Sequence, residues 1–597
     1  MSTRSLLAAL LVVSACIEAQ VPPADRIECT VDTDCNTGAG EVCDDGVCWG
    51  NPPMTMYAAV LGPSSDYSGI AATTEVPNIV FQPNGWFGDG FNGGVALSEA
   101  MRVSGQVKTP CPAALEACTG YLVVPGTIKW IRTSDIPGLP DLTVSSTMAG
   151  IMGNGSAGGF EVFLPRPVLP TTYTVVFTPS VAPLGAGLPS AANLLPPFRA
   201  TVTVTPADAG GLVRDFMLPT SVRTISGRIS QAGTTALGGW RVHAEAGDGT
   251  VQGAMILASN FDTTTTDGDF SLVLANGPSL VDLVFVPDNV TGAEEDEPPR
   301  VRLRDHVVTT PLPTLALPKI ERVIAAPVSV EGTDGSGGVK DVTGAIVVAR
   351  LDQLIGNVYL QHQGTTTTAN NGLGSLQILL GTANLPLAYE MDVLPGPMSE
   401  MASVYGVDLA VGDTVPTPTV RLPHGQPIVG TVIDEHGFAV AGATVTAAVS
   451  GPSLCALSSD DLRVARGLAP VQSTTNANGE FTMFVDPDFA GSPLTYDIAV
   501  EPAAGTWAPR WTFPDQIPSD DHRQLWLPEA AHVRAQVIEP SSEPAHDTLV
   551  TLHEITDKPA PCPQVSFGTA ALSLRQAIGT SDDDGIVRLI LPRITPQ

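Results

Sequence analysis

At 597 residues, with Gly 59, Pro 53, 43% hydrophobic and only 15% charged residues, the chain is too long for one hydrophobic core and has the composition of several small, turn-rich domains. A formal net charge of -32, from 61 acidic against 29 basic side chains, excludes nucleic acid as a partner, because such a surface repels a phosphate backbone. It argues equally against a polybasic membrane contact, though not against a lipid anchor, which works by burying acyl chains.

In chain order the first segment is a secretory signal over 1–15. Arg4 precedes an apolar run from Leu6 to Val13, and the small Ser14 and Ala15 stand just before Cys16. The run is shorter than the roughly 20 residues that span a bilayer, and no later segment approaches that length. The sequence Val13-Ser14-Ala15-Cys16 resembles the lipobox of bacterial lipoproteins, which implies cleavage before Cys16 and acylation of its thiol. Ile17 follows where an Asp would retain such a protein at the inner membrane, so the resemblance implies an exported protein, lipid-anchored to the outer membrane and displayed at the cell surface. Residues 16–28 are then a tether.

Eight further cysteines, an even number, suit an oxidising compartment. Cys29, Cys35, Cys43 and Cys48 crowd into segment 29–50, which is too short to own a core and is predicted to hold its shape with two disulfides, their connectivity open. Asp32, Asp34 and Asn36 occupy the first three ligand positions of a calcium loop, but Thr37 stands where Gly is needed and Cys43 where a bidentate Glu is needed. With no C-x2-C pair for zinc, no metal and no cofactor are expected. Cys111 and Cys118 are predicted to bond to each other across a short loop containing Pro112. Cys455 and Cys562 fall in the same long loop of successive repeats. Their pairing is predicted, and it requires the fourth and fifth repeats to lie side by side.

Beyond the cysteines the chain repeats at intervals near 100 residues. A short strand ends in Leu-Pro at Leu218, Leu317, Leu422 and Leu527, with Leu97-Ser98 as a weaker copy. Soon after each comes a strand start, at Gly105, Gly227, Pro327, Gly430 and Ala535. A second strand alternates with period two at Gly239 to Ala244, Gly344 to Ala349 and Gly442 to Ala447. A turn and strand follow at Asp267-Gly268, Asn371-Gly372, Asn478-Gly479 and Asp584-Gly585, where the turn needs a positive φ that Gly and Asn adopt cheaply. The unit closes on an aromatic or apolar strand with a Pro stop: Tyr173 to Pro179, Val281 to Pro287, Tyr389 to Pro395 and Tyr496 to Pro502. Short strands with turns every 8 to 12 residues or so describe antiparallel two-sheet sandwiches.

The runs from Gly430 (GTVIDEHGFAVAGATVTAA), Ser473 (STTNANGEFTMFV) and Tyr496 (YDIAVEP) resemble the carboxypeptidase regulatory-like domain, a transthyretin-like sandwich grouped with carbohydrate-binding-like folds. The resemblance implies a non-catalytic module. The expected fold is all-β: tandem antiparallel β-sandwiches, Ig-like or transthyretin-like, over 101–219, 220–318, 319–423, 424–528 and 529–597, with the strands of 51–100 completing a sandwich. The Tyr-initiated strand Tyr57 to Pro63 precedes any full unit, while the fifth unit ends without one. Of two ways to balance this, domains permuted to start at the Tyr strand are favoured over a last sandwich with a bare edge, because a bare edge invites aggregation.

No catalytic constellation emerges, so an enzyme is not expected. Asn154 to Gly158 lacks the first Gly of a nucleophile elbow. His553-Glu554 lacks the second His of a zinc motif and reads as a surface strand pair, and no Ser completes a triad with His546-Asp547. The acidic runs Glu294 to Glu297 and Asp582 to Asp584 read as solvated turns. Trp86 and the pair Trp507 and Trp511 occupy equivalent connections far apart in the chain. They are candidate ligand-binding residues, since exposed Trp faces stack on sugars, although a Trp at a module junction more often fills the joint. The expected role is a surface-anchored stalk or adhesion protein, with carbohydrate binding through the Trp-bearing connections as the alternative. The partners expected are a membrane, through the acyl chains, and a protein or glycan ligand.

Overall fold

The computed structural model describes residues 28–593, apart from 89–93, 112–119, 137–138, 140, 149–158, 182–189, 219–221, 232–234, 248–254, 276–277, 288–298, 320–322, 397–398, 451–452, 454–469, 490, 504–505 and 556–574. The described chain is built of tandem β-sandwiches.

The fourth sandwich shows the plan. Its first strand, Gln426–Ile433, is flanked by the antiparallel turn strand Glu480–Val485 and by the parallel closing strand Ser519–Trp526. The facing sheet runs Val471–Thr474, Thr444–Val449, Tyr496–Glu501, Trp511–Gln516, all antiparallel. Alternation along each strand turns Ile428 and Val432, Phe481 and Met483, Val445 and Ala447, and Ile498 and Val500 into one buried layer. The turn before Glu480–Val485 is built as its sequence suggests: Gly479 has a φ of 74°, and Asn476 Oδ1 accepts the amides of Asn478 and Glu480 at 2.8 and 3.0 Å.

Parallel closure recurs. Phe216–Met217 lies parallel to Val107–Pro110, Leu315–Leu317 to Val222–Gln231, and Thr419–Leu422 to Val323–Thr333. The leucine of each Leu-Pro mark, and Leu97 of the weaker copy, is buried at 4% exposure or less. The mark therefore seats the end of each closing strand in the core of the sandwich it completes.

The fifth sandwich is assembled from both ends of the chain. Its first strand Ala530–Ile538 pairs with Ile586–Pro592, and Leu549–Glu554 pairs with Arg575–Thr580. The strands still missing are supplied from the other end: Tyr57–Gly62 pairs antiparallel with Leu549–Glu554 and with Thr74–Ile79, and Gly94–Ala96 lies parallel to Ala530–Ile538. Tyr57, Ala59, Leu61, Phe87 and Leu97 share one core with Val533, Val537, Leu552, Val587 and Leu591. Neither the permuted domain nor the bare edge is adopted. The early Tyr strand fills the place that its counterparts fill in the other sandwiches and, among the described residues, supplies that ladder and that half of the core.

This pairing closes the order of domains into a cycle. Leu97 alone separates Gly94–Ala96 of the fifth sandwich from Ser98–Gly105, which opens the first. At that joint Glu75 binds Arg132 at 2.8 Å, Ser134 Oγ at 2.5 Å and the Asp135 amide at 3.0 Å. First and second sandwiches meet where Phe261 N donates to Ala192 O at 2.9 Å and Asn260 Nδ2 to Asn193 O at 3.0 Å. The second and third are fused, since Arg300–Val307 pairs with Val358–Thr367 to make a nine-stranded sheet over a continuous core. At the next joint Ser403 N and Tyr405 Oη donate to Asp486 at 2.6 and 3.0 Å. Between fourth and fifth, Ala530 N donates to Glu435 Oε2 at 2.6 Å.

A further repeat went unread in the sequence. Asp282, Asp392 and Asp497 sit at the bulge of a central strand, and each accepts the backbone N–H of a residue with positive φ on the next strand: Asp305, Gly406 and Asp515. The carboxylate holds the bulge that bends each sheet.

Candidate functional site

The cysteine-rich segment is a folded module. Cys29 bonds Cys43 and Cys35 bonds Cys48, and a hairpin of Val42–Asp44 and Val47–Trp49 turns at Asp45-Gly46 with φ of 51° and 79°. The acidic groups that resembled a calcium loop are engaged by the backbone. Asp34 accepts the amides of Thr30 and Val31 at 2.7 and 3.1 Å, which holds its carboxyl below the ordinary value. Asp32 accepts Cys43 N at 2.8 Å, and Asn36 accepts Ala39 N at 3.2 Å. Cys29, Cys35 and Cys48 lie close enough to share a metal, but both bridges take their thiols and leave no thiolate to bind one.

The module is docked on the fifth sandwich. Val47–Trp49 joins the sheet of Ala530–Ile538 with Trp49 opposite His532, and Gly50 N donates to His532 O at 3.1 Å. The Arg534 guanidinium lies over the rings of Trp49 and Trp86, at 5.0 and 4.7 Å from their centroids, and pairs with Asp44. Arg593, near the opposite end of the chain, binds Glu41 at 2.8 Å and pairs with Glu529. Trp507 reaches in from the fourth sandwich. It is buried against Val47 and Trp49, with its ring 5.2 Å from His532. One joint thus ties the disulfide module, both chain ends and the fourth sandwich together.

This places the tryptophans. Trp86 is half-buried beneath Arg534, Trp507 is buried in the joint, and Trp511 is half-buried against the core of its own sandwich. Trp86 and Trp507 fill the joint, where a rigid ring buries much area, while Trp511 packs within its own sandwich.

Replacing Cys35 and Cys48 together by Ser should loosen this joint. A loop closed over a sequence separation of 13 is worth about 3 kcal/mol. We expect faster amide exchange at Val47–Trp49 and at the facing His532, with the second and third sandwiches unchanged.

Cys111 is disulfide-bonded. Cys118, Cys16, Cys455 and Cys562 lie outside the described residues, as do Asn154 to Gly158 and Glu294 to Glu297.

The groups examined for catalysis have structural surroundings. His546 Nδ1 lies 3.1 Å from Asp547 Oδ2, a contact that raises the imidazole pKa, and the ring rests 5.4 Å from that of Tyr67 at an exposed turn. His553 is buried, not the surface residue its sequence suggests, because its strand is flanked by Tyr57–Gly62 on one side and Arg575–Thr580 on the other. Asp582 accepts the amides of Asp584 and Ile586 at 3.1 and 2.8 Å and binds Arg588 at 2.6 Å, so the acidic run closes a turn. A cavity of about 430 Å3 opens between loop 63–73 and the first sandwich, lined by Arg132, Phe163 and Tyr173 among others. Its one guanidinium is held by Glu75 and Asp135.

A buried charged network crosses the sheet of the second sandwich. Arg302 binds Glu245 at 2.6 Å and Asp282 at 2.9 Å, and His243 Nε2 lies 3.2 Å from Glu245. Burial raises the Glu245 pKa, but the contacts with His243 and Arg302 outweigh it and hold the carboxyl at about 2.

No protein-family model matches the chain, and no curated protein sequence matches it. Among solved structures it is similar to the Bacillus anthracis TIE protein, at 12% identity over 72% of this chain and 74% of that one with a TM-score of 0.15. A Streptococcal ancillary pilin matches at 12% identity over 55% of this chain and 99% of that one, with a TM-score of 0.18. The RrgB pilus protein from Streptococcus pneumoniae matches at 10% identity over 69% and 92%, with a TM-score of 0.13.

Proposed function

We propose that the chain is a non-catalytic, lipid-anchored surface protein whose cyclic array of sandwiches is a structural scaffold for adhesion or for contact with another macromolecule. The observation that carries this reading is the joint at the disulfide module, where the segment just after the acylation motif is built into the sheet of the last sandwich through Trp49, His532, Arg534 and Arg593. An anchor at Cys16 would be joined through residues 16–28 to a module that is itself built into the folded array. Both disulfides suit an exported location. The charged and aromatic clusters described above serve joints, bulges and turns, which fits a load-bearing role better than a catalytic one.

Fractionation of cells expressing the native chain and the Cys16→Ser variant tests the anchor. The native chain should pellet with outer membranes and be shaved from intact cells by added protease, while Cys16→Ser should shift to the soluble fraction. A variant that still pellets, or a native chain protected in intact cells, would overturn the anchored surface reading.

A further inference from the structure

We propose that the closing strands of one copy exchange into the fifth sandwich of another, so that the closed monomer and an open head-to-tail polymer are alternative states of the same chain. The partner is a second copy of this protein.

The topology makes the exchange specific. The C-terminal strands Ala530–Ile538, Leu549–Glu554, Arg575–Thr580 and Ile586–Pro592 form only part of a sandwich. Among the described residues, the strands that complete it come from a segment the chain made some 450 residues earlier. That segment carries its own docking features: Tyr57, Ala59 and Leu61 at 0% exposure, Phe87 at 0%, and the backbone ladders to Leu549–Glu554 and Ala530–Ile538. None of these contacts depends on donor and acceptor belonging to the same chain. A donor from a neighbouring molecule makes the same hydrogen bonds and buries the same core, so the two states differ only in the geometry of the joints and in concentration.

The donor segment travels with the first sandwich. The donor segment passes into the first sandwich through Leu97 alone, and its other contacts there, Ala71–Ala72 with Ser98 and Glu99, and Glu75 with Arg132, lie on the first-sandwich side. Opening the closure therefore leaves the donor segment seated against its own first sandwich and separates it, with the disulfide module that precedes it, from the C-terminal strands and from Trp507 of the fourth sandwich. Closure within one chain also requires four intervening sandwiches with specific joints to return to their starting point. A small departure from perfect return, summed over five joints, converts a ring into a helical array whose next fifth sandwich is filled by the next copy.

Two full-length variants test this. Gly62 lies opposite Leu549, and a Cβ on Gly62 would stand 3.9 Å from the Leu549 Cβ, within the Cβ separation of about 3.5 to 4.5 Å that a disulfide needs. Purified Gly62→Cys and Leu549→Cys chains are mixed at high concentration, opened briefly in urea without reductant, returned to buffer and run on a non-reducing gel. A disulfide-linked species of twice the monomer mass, containing both variants and absent from either alone, is expected. The double variant Gly62→Cys/Leu549→Cys, oxidised when dilute, should lock as a monomer. Light scattering of the wild-type chain provides a readout free of substitutions: its mass should rise with concentration in whole multiples of the monomer, and the locked double variant should not follow. If the double variant locks but the mixture yields no heterodimer, the closure does not exchange and the proposal falls. If the double variant fails to form its internal bond, the closure itself is wrong and the proposal falls with it.

Discussion

Replacing Leu61 by Ala should destabilise a sandwich whose C-terminal strands begin nearly 470 residues away. Leu61 is fully buried in the core shared by both chain ends, and truncating such a side chain costs about 2 to 5 kcal/mol through lost burial and the cavity left behind. In a sandwich of about 100 residues that lowers the local melting temperature by roughly 10 °C or more. Calorimetry should show one transition falling while that of the fused second and third sandwiches stays put. Limited proteolysis should cut the variant between Ala530 and Pro592 before any other sandwich. A variant whose C-terminal strands stay protected would mean that those strands hold together without the N-terminal segment.

The second large effect is expected at Arg302. Its guanidinium lies between Glu245 and Asp282, and the three side chains are 12% to 16% exposed. Arg302→Ala would leave two buried carboxylates without their cation, a loss of about 3 to 5 kcal/mol. The pH dependence has a definite sign. The Glu245 carboxyl is held at about 2 against an ordinary 4.5, so the folded state binds its proton less readily than the unfolded chain does. Its contribution, reduced by the solvent that reaches the site, is present above pH 4.5 and is lost as the pH falls toward 2. Urea midpoints at pH 7 and pH 3 should therefore differ strongly in the native chain and much less in Arg302→Ala. Equal pH slopes would remove Arg302 from the account of the Glu245 shift.

The individual strands were legible because each carries a local signal. Asn478-Gly479 and Asp584-Gly585 mark turns through a backbone conformation that few residues adopt, and Thr444–Val449 shows its buried face as alternation. The Leu-Pro marks recur because the same core position must be filled at the end of every closing strand. Which strands pair is a different kind of information. Tyr57–Gly62 looks like any other Tyr strand, and nothing local says that its ladder is completed by Leu549–Glu554. The choice is fixed by which sandwich lacks an edge, and the two sequence-based alternatives both assumed that neighbours in sequence are neighbours in space. The tryptophans show the same limit: composition and spacing found Trp86 and Trp507, but only packing against Arg534 and His532 shows what their faces cover. The bulge-holding Asp282, Asp392 and Asp497 did carry a signal, an acid in the middle of a strand with a buried face, hidden in strands that their aromatic or apolar starts and Pro stops already explain.

The parallel pairing of first and closing strands has a mechanical meaning. In each of the first four sandwiches the chain arrives at the head of the first strand and departs from the tail of the closing strand, and those two strands run side by side in the same direction. Tension along the chain therefore draws the two past each other along their length. The bonds between them are loaded together in shear, whereas strands gripped at one shared end would be peeled apart bond by bond. Under a pull each such unit, with the fused second and third sandwiches acting as one, should resist until a whole ladder slides and then yield abruptly, so that the chain lengthens in separate jumps while the remaining units keep their shape.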